Sequence, residues 1–276
     1  MDHHLTTALG AIDHWGADHA AAAVVGPDMV IAGHGDPGQV FRWASVTKLA
    51  TALAVLDAVE DGVIDLDEAA GPPGATVRHL LAHASGLPFE GEAVLAQPGT
   101  RRIYSNPGYD LLGALLAERD GVAFDEALDR RILGPLGMAD THLETRPSEG
   151  LRSPLRDLAA FARELLRPTL VTRASLDEAT TSAFPGLVGV LPGVGRFEPL
   201  DWGLGFELRD AKTPHWTGRR NSPATFGHFG GAGGFVWVDP ALDRALVCLT
   251  DRDYGAWALE AWPPFSDAVI AALAGS

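Results

Sequence analysis

Strand-like runs stand at both ends of this chain and helical patterns fill its middle, and that placement constrains the fold more than any other feature. Segments 20–26 and 29–33 are apolar runs parted by Pro27-Asp28, the signal of a hairpin. After about residue 200 the strand pattern returns: 202–208, 225–229, 235–239 and 245–250 are short, β-rich and separated by turn residues. Between them, Leu49, Leu53, Leu56 and Val59 recur at helical spacing over 46–60, and Asp61-Gly62 supplies a stop. Further helices are expected at 76–84, 109–118, 124–132 and 155–167, the last opened by Ser153 as N-cap and Pro154 in the first turn. Helices at 3–15 and 265–273 close the two ends, and the Pro/Gly-rich stretch 184–195 reads as a loop. The expected fold is α/β of the α+β kind: one antiparallel sheet completed by both termini, flanked by terminal helices, with an inserted all-helical domain. The division falls as 1–44 with 201–276 for the sheet and 45–200 for the helical part.

Composition narrows the function. A chain of 276 residues with 46% apolar and 21% charged residues buries a core without disulfides. Its 21 Lys plus Arg against 36 Asp plus Glu leave a formal charge of −15, which repels phosphate backbones and anionic lipids, so nucleic acid and the membrane surface are set aside as partners. Cys248, the only cysteine, sits in the apolar run 245–249 and reads as a buried strand residue rather than a nucleophile. The N-terminal stretch has no basic n-region, and no apolar run reaches the roughly 18 residues of a membrane span, which points to the cytoplasm.

There is no Gly-x-Ser-x-Gly elbow, no zinc motif and no Walker loop, and no cofactor fingerprint is found. What remains is Ser45-Val46-Thr47-Lys48 at the start of the strongest helix. Three residues apart, Ser45 and Lys48 share one face, so an amine can take the proton of a hydroxyl that the helix N-terminus also polarises. Only Lys48 and Lys212 are lysines, against 19 arginines. A guanidinium cannot give up its proton near neutral pH, whereas a lysine can be tuned to act as a base. Tyr104-Ser105-Asn106 is the second element, in a chain with three Tyr and two Asn. Alone, Asn106-Pro107-Gly108 reads equally well as a turn beside a packed tyrosine. Beside Lys48, the phenol can relay protons to Ser45 and the Asn106 amide can hold both the lysine and a substrate carbonyl. The third element is His228-Phe229-Gly230, followed by Gly231, at the edge of an expected strand. Glycines there let a ligand approach the backbone, while His228 supports the tyrosine hydroxyl.

Ser-x-x-Lys, Tyr-x-Asn and His-x-Gly in that order resemble the serine β-lactamase and penicillin-binding protein superfamily, on its class C and family VIII carboxylesterase side. Segments 78–88, 98–108, 134–138 and 202–206 are also similar to stretches common there, so the resemblance runs from about residue 40 to 240. It implies a site in the cleft between a mixed α/β domain and a helical one. It also implies acyl transfer: Ser45 attacks a carbonyl, Lys48 and Tyr104 move the proton, and the backbone N–H groups of Ser45 and Gly231 form the oxyanion hole. Ser85 is similar to a structural turn in these proteins.

One departure bears on the substrate. Relatives that take β-lactams or D-alanyl peptides usually carry Thr or Ser in the middle of the third motif, where a hydroxyl meets the substrate carboxylate, and this chain has Phe229. With Trp43, Trp202 and Trp216 expected nearby, the site should prefer an uncharged, apolar acyl group. The class A deacylating motif Glu-x-x-Leu-Asn is absent. The expectation is a serine hydrolase for small esters, lactones or amides. A β-lactamase or D-amino-acid peptidase, and a non-catalytic ligand-binding module of the same fold, are the alternatives. His79 and His83, four apart, have the spacing of a metal pair, but the resemblance makes them structural.

Overall fold

The computed structural model describes residues 3–275. In chain order the strands are β1 (Ala20–Val25), β2 (Val30–His34), β3 (Val40–Arg42), β4 (Arg102–Ile103), β5 (His142–Leu143) and β6 (Leu151–Pro154). They continue with β7 (Gly189–Leu191), β8 (Gly195–Phe197), β9 (Glu207–Leu208), β10 (Phe226–Phe229), β11 (Phe235–Asp239) and β12 (Arg244–Thr250). The helices are α1 (His3–Leu9), α2 (Thr47–Glu60), α3 (Val77–Leu81), α4 (Asn106–Asp120), α5 (Phe124–Leu128), α6 (Leu155–Leu166), α7 (Arg173–Ala179) and α8 (Ala256–Ala274).

The main sheet runs β2-β1-β12-β11-β10-β9 and is antiparallel throughout, so strands from the two ends of the chain meet where β1 pairs with β12. Alternation decides what covers each face. Ala21, Ala23, Val25, Val236, Val238, Val247 and Leu249 face the core that α2 and α6 share. Ala22, Val24, Phe235, Trp237, Leu246 and Cys248 face the opposite core, which α1 and α8 fill with Leu5, Leu9, Trp262, Phe265 and Val269. Cys248 is buried there, and burial raises its thiol pKa. α6 lies within the expected helical insertion but packs on β1 and β12. Among the described residues no helix is long and apolar enough to cross a membrane.

Several elements depart from expectation for local reasons. α4 begins at Asn106 rather than near Tyr109, because the Ser105 hydroxyl accepts the Gly108 N–H at 3.1 Å and Pro107 suits the first turn. Asn106-Pro107-Gly108 is therefore helix, not turn. α6 is not capped by Ser153, whose hydroxyl accepts the Trp43 indole N–H at 2.6 Å instead. α8 starts at Ala256 and runs through Pro263-Pro264, because burying Trp262, Phe265, Val269 and Ile270 outweighs the hydrogen bonds the prolines remove. Segment 202–208 forms a strand only over β9, since a turn closes with Gly203 N–H donating to the Phe206 carbonyl at 2.8 Å. Within 184–195, residues 189–191 form β7, which pairs with β8 and with β4. α7, opened by Thr172 as N-cap, was not expected.

Candidate active site

α2 is buried on almost every side, and this fixes the ground on which the site stands. Ahead of it, the turn Ala44–Val46 carries Ser45 to the helix N-terminus. The approach is pinned by β6: Trp43 N–H donates to the Leu151 carbonyl at 2.9 Å, and the Leu151 N–H donates to Thr47 Oγ1 at 3.1 Å. Ala44 adopts φ 46°, a left-handed conformation that costs on the order of 1 kcal/mol outside glycine. Gly230 presses on this turn from the sheet side, where a Cβ would stand 2.1 Å from the Trp43 carbonyl oxygen. Only glycine fits there.

Lys48, in the first turn of α2, is fully buried. Its Nζ lies 2.6 Å from Asn106 Oδ1, 2.9 Å from the Ser148 carbonyl oxygen and 3.3 Å from Ser45 Oγ. The first two partners accept only, so a neutral amine spends its two protons on them and turns its lone pair to the Ser45 hydroxyl. Burial lowers the Lys48 pKa to about 7, against the pull of Glu149, Asp110 and Glu90 and with the help of Arg146. The Ser148 carbonyl is held by two bonds: Thr51 Oγ1 donates to the Pro147 carbonyl at 2.7 Å, and Ser148 N–H donates to Asp110 at 3.1 Å.

Tyr104 follows β4, whose position owes much to the buried Arg102. That guanidinium donates to the carbonyls of Ala82, Ala183 and Leu200 at 2.5, 2.7 and 3.1 Å. Burial keeps the Tyr104 phenol protonated well above the usual range, with Ser45 as a hydrogen-bond partner that opposes the effect. Its Oη is 2.9 Å from His228 Nε2. His228 Nδ1 accepts the Phe229 N–H at 2.8 Å, and burial lowers the imidazole to about 3. The ring is therefore neutral with its proton on Nε2, which donates to the Tyr104 oxygen and leaves the phenol proton free to point at Ser45.

Asn106 faces two ways. Its Oδ1 accepts from Lys48, and its Nδ2 donates one of its two N–H groups to Glu90 at 2.7 Å. Arg146 holds Glu90 at 2.6 Å and reaches Asp110 at 3.3 Å and Glu149 at 3.0 Å, closing a charged cluster behind the lysine.

The structure brings Ser45, Lys48, Tyr104, Asn106, His228, Phe229, Gly230 and Gly231 together at one place. A cavity of about 190 Å³ opens before Ser45, Tyr104, His228 and Gly231. Phe229 forms part of its apolar wall, as the sequence suggested, but the three tryptophans do not line it. Trp43 is turned away toward Ser153 and Phe161, and Trp202 and Trp216 back the rings of Tyr104 and Phe229 at 5.8 and 5.6 Å. The wall is completed by Phe89, Leu191, Pro192 and Tyr254, none of which carries a motif. Among the described residues, neither the Ser45 nor the Gly231 backbone N–H donates to a protein acceptor. A larger cavity of about 650 Å³ lies beyond Glu90 and Arg146 and touches neither Ser45 nor Tyr104.

His79 and His83 are packing residues rather than a pair facing one ion. His79 Nδ1 bonds the Thr76 hydroxyl at 2.9 Å and its ring stacks on Phe184 at 4.3 Å. His83 Nδ1 accepts the Ser105 N–H at 3.1 Å, and its ring lies between Tyr104 and Tyr109 at 4.4 and 5.0 Å.

A family model described as Beta-lactamase matches residues 13–268. The crystal structure of a beta-lactamase from Mycobacterium bovis is 53% identical with a TM-score of 0.95, over 96% of this chain and 99% of that one. A protein of Escherichia coli K12 named Beta-lactamase is 23% identical over 287 residues, 78% of this chain and 76% of that protein. EstCE1, described as a hydrolase with promiscuous acyltransferase activity, superposes with a TM-score of 0.79 at 17% identity, over 97% of this chain and 99% of that one. At that identity the likeness is one of fold.

Proposed function

The chain belongs to the Beta-lactamase family and is a serine hydrolase, and from that premise we propose that Ser45 is its nucleophile and that its substrates are small, uncharged esters, lactones or amides. The observation that carries this reading is Lys48: a buried amine with two fixed neutral acceptors and the Ser45 hydroxyl as its third partner. Neutral Lys48 takes the Ser45 proton as Oγ bonds to the substrate carbonyl carbon. The N–H groups of Ser45 and Gly231 receive the negative charge that gathers on the carbonyl oxygen. Collapse of this intermediate breaks the bond to the alcohol, whose oxygen takes a proton from Tyr104, and the Lys48 ammonium restores the phenol. Water then attacks the acyl carbon and loses a proton to Lys48, and the acid leaves as the Lys48 ammonium returns that proton to Ser45 Oγ. Ser45, Lys48, Tyr104 and Asn106 come from segment 45–200, and His228, Phe229, Gly230 and Gly231 from segment 201–276. The cleft between these two parts is the site in this proposal.

Hydrolysis of β-lactams is the second reading, favoured by 53% identity to a protein described as a beta-lactamase. Against it, Phe229 offers no donor to a substrate carboxylate. Intact mass after incubation with a p-nitrophenyl ester, a penicillin and a fluorophosphonate, with Ser45→Ala alongside, separates the two. The ester reading expects an adduct that requires Ser45, ester turnover and little loss of penicillin. Rapid penicillin turnover without ester cleavage would replace it with the second, and an active Ser45→Ala would overturn both.

A further inference from the structure

The cavity before Ser45 is lined in part by a contact that no motif announces. Tyr254, in the loop between β12 and α8, is tied at both ends: its backbone N–H donates to the Gly231 carbonyl at 2.9 Å, and its hydroxyl donates to the Gly193 carbonyl at 2.9 Å. Gly193 lies in the turn between β7 and β8, at φ 76°, and a Cβ there would stand 2.5 Å from the Tyr254 ring. The ring itself packs 4.9 Å from Phe229 and 5.4 Å from Trp262. The hydrogen bond thus ties the loop after the last sheet strand to the β7–β8 turn across the rim of the cavity. We propose that this Tyr254–Gly193 clasp is a specificity-determining element that limits the acyl chain the enzyme accepts.

Such a limit presupposes the ester reading above. The cavity is small, about 190 Å³, and Gly193 and Tyr254 are among the residues that line it. During the reaction the alcohol departs and water enters, while the acyl group stays on Ser45 through both steps, and the clasp is taken to meet the group that stays. Phe229, Leu191 and Pro192 are apolar, and Tyr254 turns its polar end outward to Gly193, so the chain it meets is uncharged. A longer chain must open the clasp. That costs an exposed hydrogen bond and part of the ring packing, a graded penalty rather than a block.

The test is the ratio of kcat/KM for p-nitrophenyl decanoate to that for the butyrate, in the wild type, Tyr254→Phe and Tyr254→Ala. Tyr254→Phe keeps the ring and loses only the clasp, and its ratio is expected to rise about threefold. Tyr254→Ala removes the wall, and its ratio is expected to rise by about tenfold or more. In parallel, the rate of Ser45 labelling by alkyl fluorophosphonates of rising chain length is read by intact mass, which reports fit without turnover. Equal ratios in all three proteins, or sensitivity to the length of the alcohol with none to the acyl chain, would overturn the clasp while leaving the ester reading in place. No Ser45 adduct at any chain length would overturn both.

Discussion

The chain has two lysines, and both are buried, yet their surroundings differ in one respect. Lys212 touches a carboxylate: its Nζ is 2.9 Å from Glu207, which also accepts from His215 at 2.9 Å and from the Trp216 indole at 3.0 Å. Burial raises the Glu207 carboxyl, and His215 and Lys212 together outweigh it and hold it at about 2. Lys48 touches an amide oxygen, a backbone carbonyl and a hydroxyl, and the carboxylates of Glu90, Asp110 and Glu149 do not bond to it directly. The first arrangement is a buried ion pair that fastens β9 to the loop after it. The second leaves burial as the dominant influence and brings the amine to about 7. A lysine becomes a base near neutral pH when the groups that hold it carry no charge.

The contrast can be broken from either side. Lys48→Met removes the base and should cost about 10³-fold in kcat/KM for a p-nitrophenyl ester. Lys48→Arg should not restore it, because a guanidinium keeps its proton. At the other lysine, Glu207→Gln leaves an ammonium buried without its counter-charge and should lower stability by about 3 kcal/mol, read by denaturant unfolding. Asn106→Asp makes the surroundings of Lys48 more like those of Lys212 by placing a carboxylate on its Nζ. The amine is then protonated to higher pH, so activity at pH 7 should fall about tenfold or more and return as the pH is raised by one to two units, a recovery that simple loss of structure would not give. Glu90→Gln is the mildest change. Glu90 raises the Lys48 pKa and stands among its weaker influences, so the acid limb of the kcat/KM profile should move to lower pH by less than about one unit.

The sign of the pH dependence follows from the same residue. Lys48 acts in its neutral form, so kcat/KM for the ester should rise about tenfold for each pH unit below about 7 and level above it.

Much of this was legible in the chain. Ser45 and Lys48 lie three apart across the turn that enters α2, and Tyr104 and Asn106 two apart at the entry of α4, so local geometry holds each pair together wherever the helix goes. The sheet was legible because its strands alternate or run apolar without a break. What was not legible comes from single residues in loops distant in sequence. Phe89, Leu191, Pro192 and Tyr254 each supply one side chain to the cavity, and no spacing links them. The Ser148 contact is made by a backbone carbonyl, which side-chain patterns cannot register. Glu90 reaches Asn106 from a loop that shares no helix with it, so the orientation of the Asn106 amide could not be foreseen. The tryptophans were expected nearby, and Trp202 and Trp216 do stand behind the cavity as support for Tyr104 and Phe229, whereas Trp43 packs on Phe161.

With two lysines in the chain, a single experiment reaches the base directly. Labelling with [ε-13C]lysine gives two side-chain signals, and the one lost in Lys48→Met belongs to Lys48. This signal should titrate with a midpoint near pH 7, in step with the rise of kcat/KM. A Lys48 signal that stays in its protonated position up to pH 9 would contradict it.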